Sequence, residues 1–432
     1  MIVHMLGAGN GQIKTIKRIK ELGHTLLLSD YHADAPGNIY ADYTAEISTF
    51  DLEGILEISK KYSIDAILTA GTDQPVLTAA YTSSKLGLPS CISLKTALAV
   101  TNKRVMKPLM ISGGIPTNPY LLIDNTVTVE DIEKAGISFP IVIKPVDSQG
   151  QRGVLKIDSF EQLKSFIPYS LEFSRETELL AEPYYPSNEI TVTSWVNQGE
   201  LILISITDRI TSENLPHIGV CYAHRFPSIH QKKYLQDIRE ISTRIIKTFD
   251  IQNGPVYTQM LIGDDGVRVN EIACRIGGAY EDEAIPLLTG ISITDLLIDG
   301  VTGKIGSGFA EIDASLPIQV DAETKGYCAV ILFFTSPGTV AHVGSFSTIM
   351  ELPGVSGGAY QIFPGDIIKR QENAVQRAGY VIVSAETEEI LQEYVTSIYK
   401  HIDISDSSGA QMVIPLPENK FLHPPNREPD TV

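Results

Sequence analysis

The first hundred residues alternate strand-like apolar runs with stretches of helical period. Ile2–Leu6 reads as a short strand and Gly7-Ala8-Gly9-Asn10-Gly11 as a tight turn. Gln12–Leu22 then places Ile13, Ile16 and Ile19 along one helical side, and Gly23 ends it. Thr25–Ser29 reads as a second strand, Leu52–Tyr62 as a helix, and Ala66–Thr69 as a third strand running into Gly71-Thr72-Asp73-Gln74. Such alternation predicts an open parallel sheet with its ligand edge at the strands' carboxyl ends. A pair of helices with cationic residues, among them Lys103 and Lys107, follows over Thr96–Gly114. From Pro140 to about Ile206 the pattern is strand-rich. Lys233–Phe249 reads as a long amphipathic helix. Val256–Ile262 and Val267–Ile272 form a predicted hairpin around Gly263-Asp264-Asp265-Gly266. A helix and loop region runs from Gly278 to about Gly308. The last segment is mostly strands with one helix at Thr387–His401, and a polar, Pro-rich tail from Pro415 is expected to fray.

Length and charge narrow the picture. A chain of 432 residues suggests about three domains, at roughly 150 residues each. Hydrophobic residues make up 43% and charged residues 20%, as in a packed soluble protein. Lys and Arg number 34 against 52 Asp and Glu, a net charge of −18. A surface that acidic repels phosphodiester backbones and anionic lipid, which argues against nucleic acid and membrane partners. It leaves room for an anionic small ligand in a pocket that gathers a few cations. No run approaches roughly 18 apolar residues, so no membrane span is expected. The amino-terminal stretch lacks the pattern of a secretion signal. Four widely spaced cysteines fit a reducing compartment, and a cytoplasmic location is the expectation.

Candidate chemistry is spread along the chain. Gly7, Gly9 and Asp30 sit where a dinucleotide fingerprint would place two glycines and a ribose-binding acid, but the third glycine is displaced to Gly11. Lys144 ends an apolar strand, a position that disfavours lysine unless its charge has a partner. The following Asp147-Ser148-Gln149-Gly150-Gln151-Arg152-Gly153 is a small-residue turn able to present backbone N–H groups to phosphate. Glu182 and Glu189 close and open apolar runs, and either could serve a nucleoside or be a solvated strand end. Gln259 and Glu271 lie twelve residues apart on the two strands of one hairpin, where two oxygens can hold Mg²⁺. Arg275 stands four residues after Glu271 and just before Gly277-Gly278, placed to stabilise developing phosphoryl charge. Cys274 beside it reads as packing.

The series Lys103, Lys144 with its glycine turn, Glu182, Glu189, then Gln259 and Glu271 with Arg275-x-Gly-Gly resembles the ATP-grasp superfamily over about 300 residues. Glu271-Ile272-Ala273-Cys274-Arg275-Ile276-Gly277-Gly278, with Gly254-Pro255-Val256-Tyr257-Thr258-Gln259 ahead of it, is most similar to the L-amino-acid (dipeptide) ligases. The resemblance implies an α/β and α+β protein in three parts. These are a Rossmann-like N-terminal domain over 1–97, a two-lobed ATP-grasp unit over 98–308 and a C-terminal β-rich α+β domain over 309–414, with a tail over 415–432. It implies an ADP-forming carboxylate–amine ligase that uses ATP with Mg²⁺, Mn²⁺ being able to substitute. Lys103 and Lys144 would contact phosphates, Ser148, Gly150 and Gly153 would belong to a lid, and Glu182 and Tyr184 would sit at adenine. Glu189 would sit at ribose, Gln259 and Glu271 at metal, and Lys144 and Arg275 would act in catalysis. Gln259 departs from the family's glutamate, and Ala273 stands where many members have a metal-binding Asn. Glu283 is a candidate to assist the metal.

Glu281-Asp282-Glu283 reads either as charge stabilising a helix start or as an acid for an incoming ammonium group. Asp208–Arg225 shows no regular pattern, and one of its cations, among Arg209, His217, His224 and Arg225, is expected to contact a substrate carboxylate. Expected partners are a small-molecule carboxylate and amine, and a homodimer follows from the resemblance. Two other readings stay open: a phosphoribosylamine-like acceptor, and a nucleotide-binding protein without activity. A dehydrogenase built on the glycine turn is a third.

Overall fold

The structure is a computed structural model that describes residues 1–303 and 326–416; the expected boundary at 308/309 and the tail from 417 onward lie outside the described residues. Four parallel strands form the N-terminal sheet, in the order Tyr43–Glu46, Thr25–Asp30, Ile2–Leu6, Ala66–Leu68. Its two central strands are almost wholly buried, because helices cover both faces, and so they read as unbroken apolar runs rather than alternating ones. The helix Ile13–Glu21 places Ile16 and Ile19, both fully buried, against this sheet; each contributes roughly 1.5–3 kcal/mol relative to exposure. Asp51 starts the helix Leu52–Tyr62 by accepting the Gly54 N–H at 3.0 Å.

A twelve-stranded sheet carries the rest of the described chain. Its main path runs Gly266–Ala273, Asn253–Gly263, Asn188–Asn197, Glu200–Asn214, His217–Phe226, Leu155–Ile157, Ile141–Pro145, Leu179–Pro183, Leu121–Ile123. Tyr327–Phe333 adds to it antiparallel beside His217–Phe226, and Gly379–Ala385 then Val355–Tyr360 extend that branch. Sheet hydrogen bonding therefore runs unbroken into the C-terminal segment. Among the described residues no single helix is long and apolar enough to cross a membrane.

Two stretches differ from the sequence reading. Asp208–Arg225 forms parts of two long antiparallel strands rather than a loop, with Arg209 opposite His224 and Asp208 opposite Arg225. Asp208, Arg209 and Arg225 hid the strand signal because they are buried in ion pairs, not exposed. The strand-rich region also contains the helix Phe160–Leu171, capped by Ser159 and holding Leu163 and Ile167 against the sheet.

Candidate active site

A cleft of about 910 Å³ opens between the carboxyl ends of the parallel strands and the large sheet. Lys103, Lys144, Ser148, Gly150, Glu182, Tyr184, Glu189, Gln259, Glu271 and Arg275 all line it, and Gly153 does not. Gly153 lies behind the lid turn with φ +72°, and a Cβ there would stand 3.0 Å from Phe173 and Pro145. Its role is to let the turn close, not to touch a ligand.

Lys103, Lys144, Glu182 and Glu271 line one wall of the cleft, and Lys107 stands behind it on Glu182. Lys107, from the helix Lys103–Ser112, and Lys144, from the strand Ile141–Pro145, both meet the Glu182 carboxylate, Lys144 at 2.5 Å. Burial alone would raise the pKa of Glu182, which is 2% exposed; the two ammonium groups outweigh burial and hold it below the usual carboxylate range. Glu182 thus neutralises lysines with its side chain. Lys144 also donates to Asn270 Oδ1 at 3.0 Å. Lys103 sits 2.8 Å from Glu271 and donates to the Ser148 carbonyl at 3.1 Å, tying one helix start to both the metal-type acid and the lid turn. The Ser148 hydroxyl is buried with no hydrogen-bond partner. A buried donor left unmade is costly, and phosphate oxygens would satisfy it. Gly150, Gln151 and Gly153 all have positive φ, which curls the turn toward the cleft.

Gln259 and Glu271 are direct cross-strand partners. A bulge beside them leaves Asn270 unpaired and on the cleft wall. Among the described residues no three His, Cys, Asp or Glu side chains cluster as metal ligands. The donors gathered here are one carboxylate and two amides, all oxygen, which suits a hard cation. Glu283 does not join them: it bonds Tyr380 at 3.2 Å and is absent from the cleft wall.

Arg275 is held by Asp73 of the N-terminal sheet's edge at 2.6 Å, by the Ile276 carbonyl at 3.1 Å, and lies 4.7 Å over the Tyr257 ring. Gln149 of the lid turn reaches the same place, accepting the Asp73 N–H and donating to Thr72 Oγ1 at 2.6 Å. The double glycine has a steric cause. A Cβ on Gly277 would lie 2.5 Å from the Glu281 carboxylate, and one on Gly278 would lie 2.7 Å from the Gly71 carbonyl oxygen.

The N-terminal glycine turn lines the same cleft, but its polar groups are spent internally. Gln12 accepts the Gly9 N–H at 2.8 Å and donates to the Ala70 carbonyl at 3.1 Å. Asp30 accepts the Ala8 and His32 N–H groups, which removes the acid a dinucleotide ribose would need.

Of the four candidate cations in 208–225, Arg209 lines the cleft and pairs with Glu189, donating also to the Gly219 carbonyl at 2.8 Å. Arg225 instead turns to Asp208 at 2.7 Å and Glu388 at 2.9 Å, and His217 also lies off the cleft wall. His224 lines the cleft with its pKa pushed down to about 4 by burial, which Glu281 at 3.8 Å only partly opposes. Glu281 caps its own helix by accepting the Ala279 N–H at 2.8 Å and takes a hydrogen bond from Tyr257 at 3.0 Å. Cys274 is buried and its thiol is pushed up to about 12, as packing requires.

Asp282 is buried and its carboxyl is pushed up to about 7 by burial, against the opposing charge of Lys14. Unfolded, the group titrates near 3.8. Between those values the folded chain holds a proton the unfolded chain has lost. Stability then falls as pH rises, by up to about 1.4 kcal/mol per pH unit. Asp282→Asn is expected to flatten the thermal midpoint between pH 4 and 7 and raise it most at pH 8, measured by calorimetry across that range. An unchanged slope would show that Asp282 ionises normally in the fold.

An ATP-grasp domain profile matches residues 137–283, the span that holds the lid turn, Glu182 and the Gln259–Glu271 pair. That span, 137–283, carries an ATP-grasp domain. A second profile, L-amino acid ligase C-terminal domain 2, matches residues 330–406. An L-arginine-specific L-amino acid ligase of Bacillus subtilis is 29% identical over 231 residues, 52% of this chain and 54% of that one. The sequence matches thus span about half the length of the curated relatives. Among solved structures, an L-amino acid ligase from Bacillus licheniformis superposes with a TM-score of 0.79 at 17% identity, over 94% of this chain and 98% of that one. A phosphoribosylglycinamide synthetase from Anaerococcus prevotii gives 0.72 at 16% identity, over 94% and 99%. Both likenesses show a shared fold across nearly the whole chain.

Sequence reasoning missed three groups that the fold brings to the site or directly behind it: Asp73, Lys107 and Asn270. For Asn270 a signal existed. Apolar positions run 267, 269, then 272, and that break in the period of two marks one extra residue.

Proposed function

We propose that the chain is an ATP-dependent ligase that joins a carboxylate, an amino acid in this reading, to an amine. The observation that carries it is the gathering of Lys103, Lys144 and Arg275 on one cleft with the Gln259–Glu271 pair. In this reading a carboxylate oxygen attacks the γ-phosphorus of ATP, the bond to ADP breaks, and an acyl phosphate results. The amine nitrogen then attacks the acyl carbon, phosphate leaves, and a proton goes to solvent. Lys103, Lys144 and the lid N–H groups offset charge on the phosphates, while Arg275 holds the transferring group in line. Gln259, Asn270 and Glu271 would hold Mg²⁺, which supplies further charge neutralisation when bound. Glu189, already paired to Arg209, keeps a ribose-facing place at the rim, and Tyr184 lies at the base end. The three-part division at 97/98 and 308/309 belongs to the same proposal.

A phosphoribosylamine-like acceptor is the second reading, favoured by the glycine turn Gly7–Gly11 lining the cleft beside the Gly277–Gly278 loop. The test is ADP release on pairs of amino acids, with mass spectrometry of the product. Expected are ADP and a product equal to both substrates less one water. AMP in place of ADP would refute the acyl-phosphate route. ATP binding without ADP release, across acids and amines alike, would leave a nucleotide-binding protein without ligase activity.

A further inference from the structure

Most cations of the cleft are neutralised by the fold itself: Lys103 by Glu271, Lys144 by Glu182, Arg209 by Glu189 and Arg275 by Asp73. Arg377 is different. Among the described residues its hydrogen bonds go only to carbonyls, Nε to Ala374 at 3.1 Å and a terminal nitrogen to Gly278 at 3.5 Å. A guanidinium carries five N–H donors, so donors remain for a ligand. Arg152, the other cleft arginine bonded to a carbonyl alone, belongs to the lid turn at the phosphate end.

The wall around Arg377 is built rather than loose. The turn Ala374–Gln376 ahead of it is closed at its start by a reciprocal pair, Asn373 accepting the Val375 N–H and Gln376 accepting the Asn373 N–H, and the Ala374 N–H reaches the Gly150 carbonyl at 3.1 Å. Tyr280 lies beneath the guanidinium at 5.7 Å and stacks on Tyr380 at 3.4 Å with 1° between the planes. Tyr280 holds φ +62°, a left-handed conformation a bulky side chain rarely adopts, and Gln361 bonds its hydroxyl. Backbone held against its preference beside a cleft points to a function for the side chain it presents.

Two anions of the reaction already have cations. The phosphates face Lys103, Lys144 and the lid turn. The carboxylate being activated loses its charge and is served by Arg275. Arg377, a further cation on the same cleft wall, suits an anion that survives the reaction.

We propose that Arg377, seated on Tyr280, anchors the carboxylate of the amine substrate, so that the site selects amino acids over neutral amines. The inference rests on the ligase reading for the order of chemistry, but its binding test stands apart from turnover. The full chain, loaded with a non-hydrolysable ATP analogue and Mg²⁺, is titrated by calorimetry with the common L-amino acids and with their carboxamides. Wild type should bind acids in preference to amides. Arg377→Ala should weaken acid binding at least 10-fold, leave amide binding unchanged and leave nucleotide affinity within twofold. Arg377→Lys should recover part of the preference, which separates anchoring from misfolding. An intact preference in Arg377→Ala, equal binding of acid and amide by wild type, or binding of neither would overturn the proposal. Lost acid binding in Arg377→Ala, with wild type that never releases ADP, would remove the ligase reading and keep the anchor.

Discussion

Lys144→Met is expected to remove ATP turnover while leaving the fold standing. Its ammonium is one of two on Glu182, and the other, Lys107, remains. Three buried charges of net +1 become a balanced pair, so the usual penalty of about 3–5 kcal/mol for stranding a buried charge does not apply. In the proposed reading what disappears is a cation for the phosphates, at a position buried from solvent. A fall of at least about 100-fold in kcat/KM is the scale for one such electrostatic group. The comparison variant is Glu182→Ala, which strands two ammonium groups and should cost about 3–5 kcal/mol in urea unfolding. ADP release and urea midpoints on both proteins separate the roles. Full ADP release by Lys144→Met would remove the phosphate assignment, and a collapsed midpoint in that variant would show Lys144 to be structural.

Arg275→Met is expected to act on kcat rather than on ATP affinity. The guanidinium is fixed by Asp73, the Ile276 carbonyl and the Tyr257 ring before any substrate arrives, and that fixing is what makes it useful in a transition state. Loss of about 10²–10³ in kcat, with ATP affinity unchanged, is the expected split. Arg275→Lys should not restore it, because a point charge cannot hold the carboxylate, the carbonyl and a ligand at once. Asp73→Asn should give an intermediate loss, since the amide still accepts a hydrogen bond but no longer pairs the charge. A raised KM with normal kcat in Arg275→Met would recast Arg275 as a binding residue.

Much of this site was legible in the sequence because its parts are strand ends and glycine turns. Lys144 was out of character for an apolar strand, and Arg275 preceded two glycines that the packing against Glu281 and Gly71 explains. The order of the motifs then joined pieces that singly meant little. What stayed hidden depended on distance along the chain. Asp73 and Arg275 are 202 residues apart, and Lys107 meets Glu182 only once a helix is laid on a sheet. Asp208–Arg225 misled for the opposite reason: Asp208, Arg209 and Arg225 look solvent-seeking but are inside, their charges cancelled by partners from other strands or helices. Arg225 with Asp208 and Glu388 is the clearest instance.

The strand Tyr327–Phe333 lies along Ala223–Phe226 as the sheet's next member. Ending the chain before it would bare the backbone donors and acceptors of a strand whose neighbour Glu200–Asn214 bears Arg209 on the cleft wall. Bare strand edges recruit other chains. The nucleotide lobe is therefore not a detachable module: the C-terminal segment is the cover that keeps its sheet from pairing with a second molecule, and a chain lacking that segment should be lost to aggregation before its chemistry can be measured.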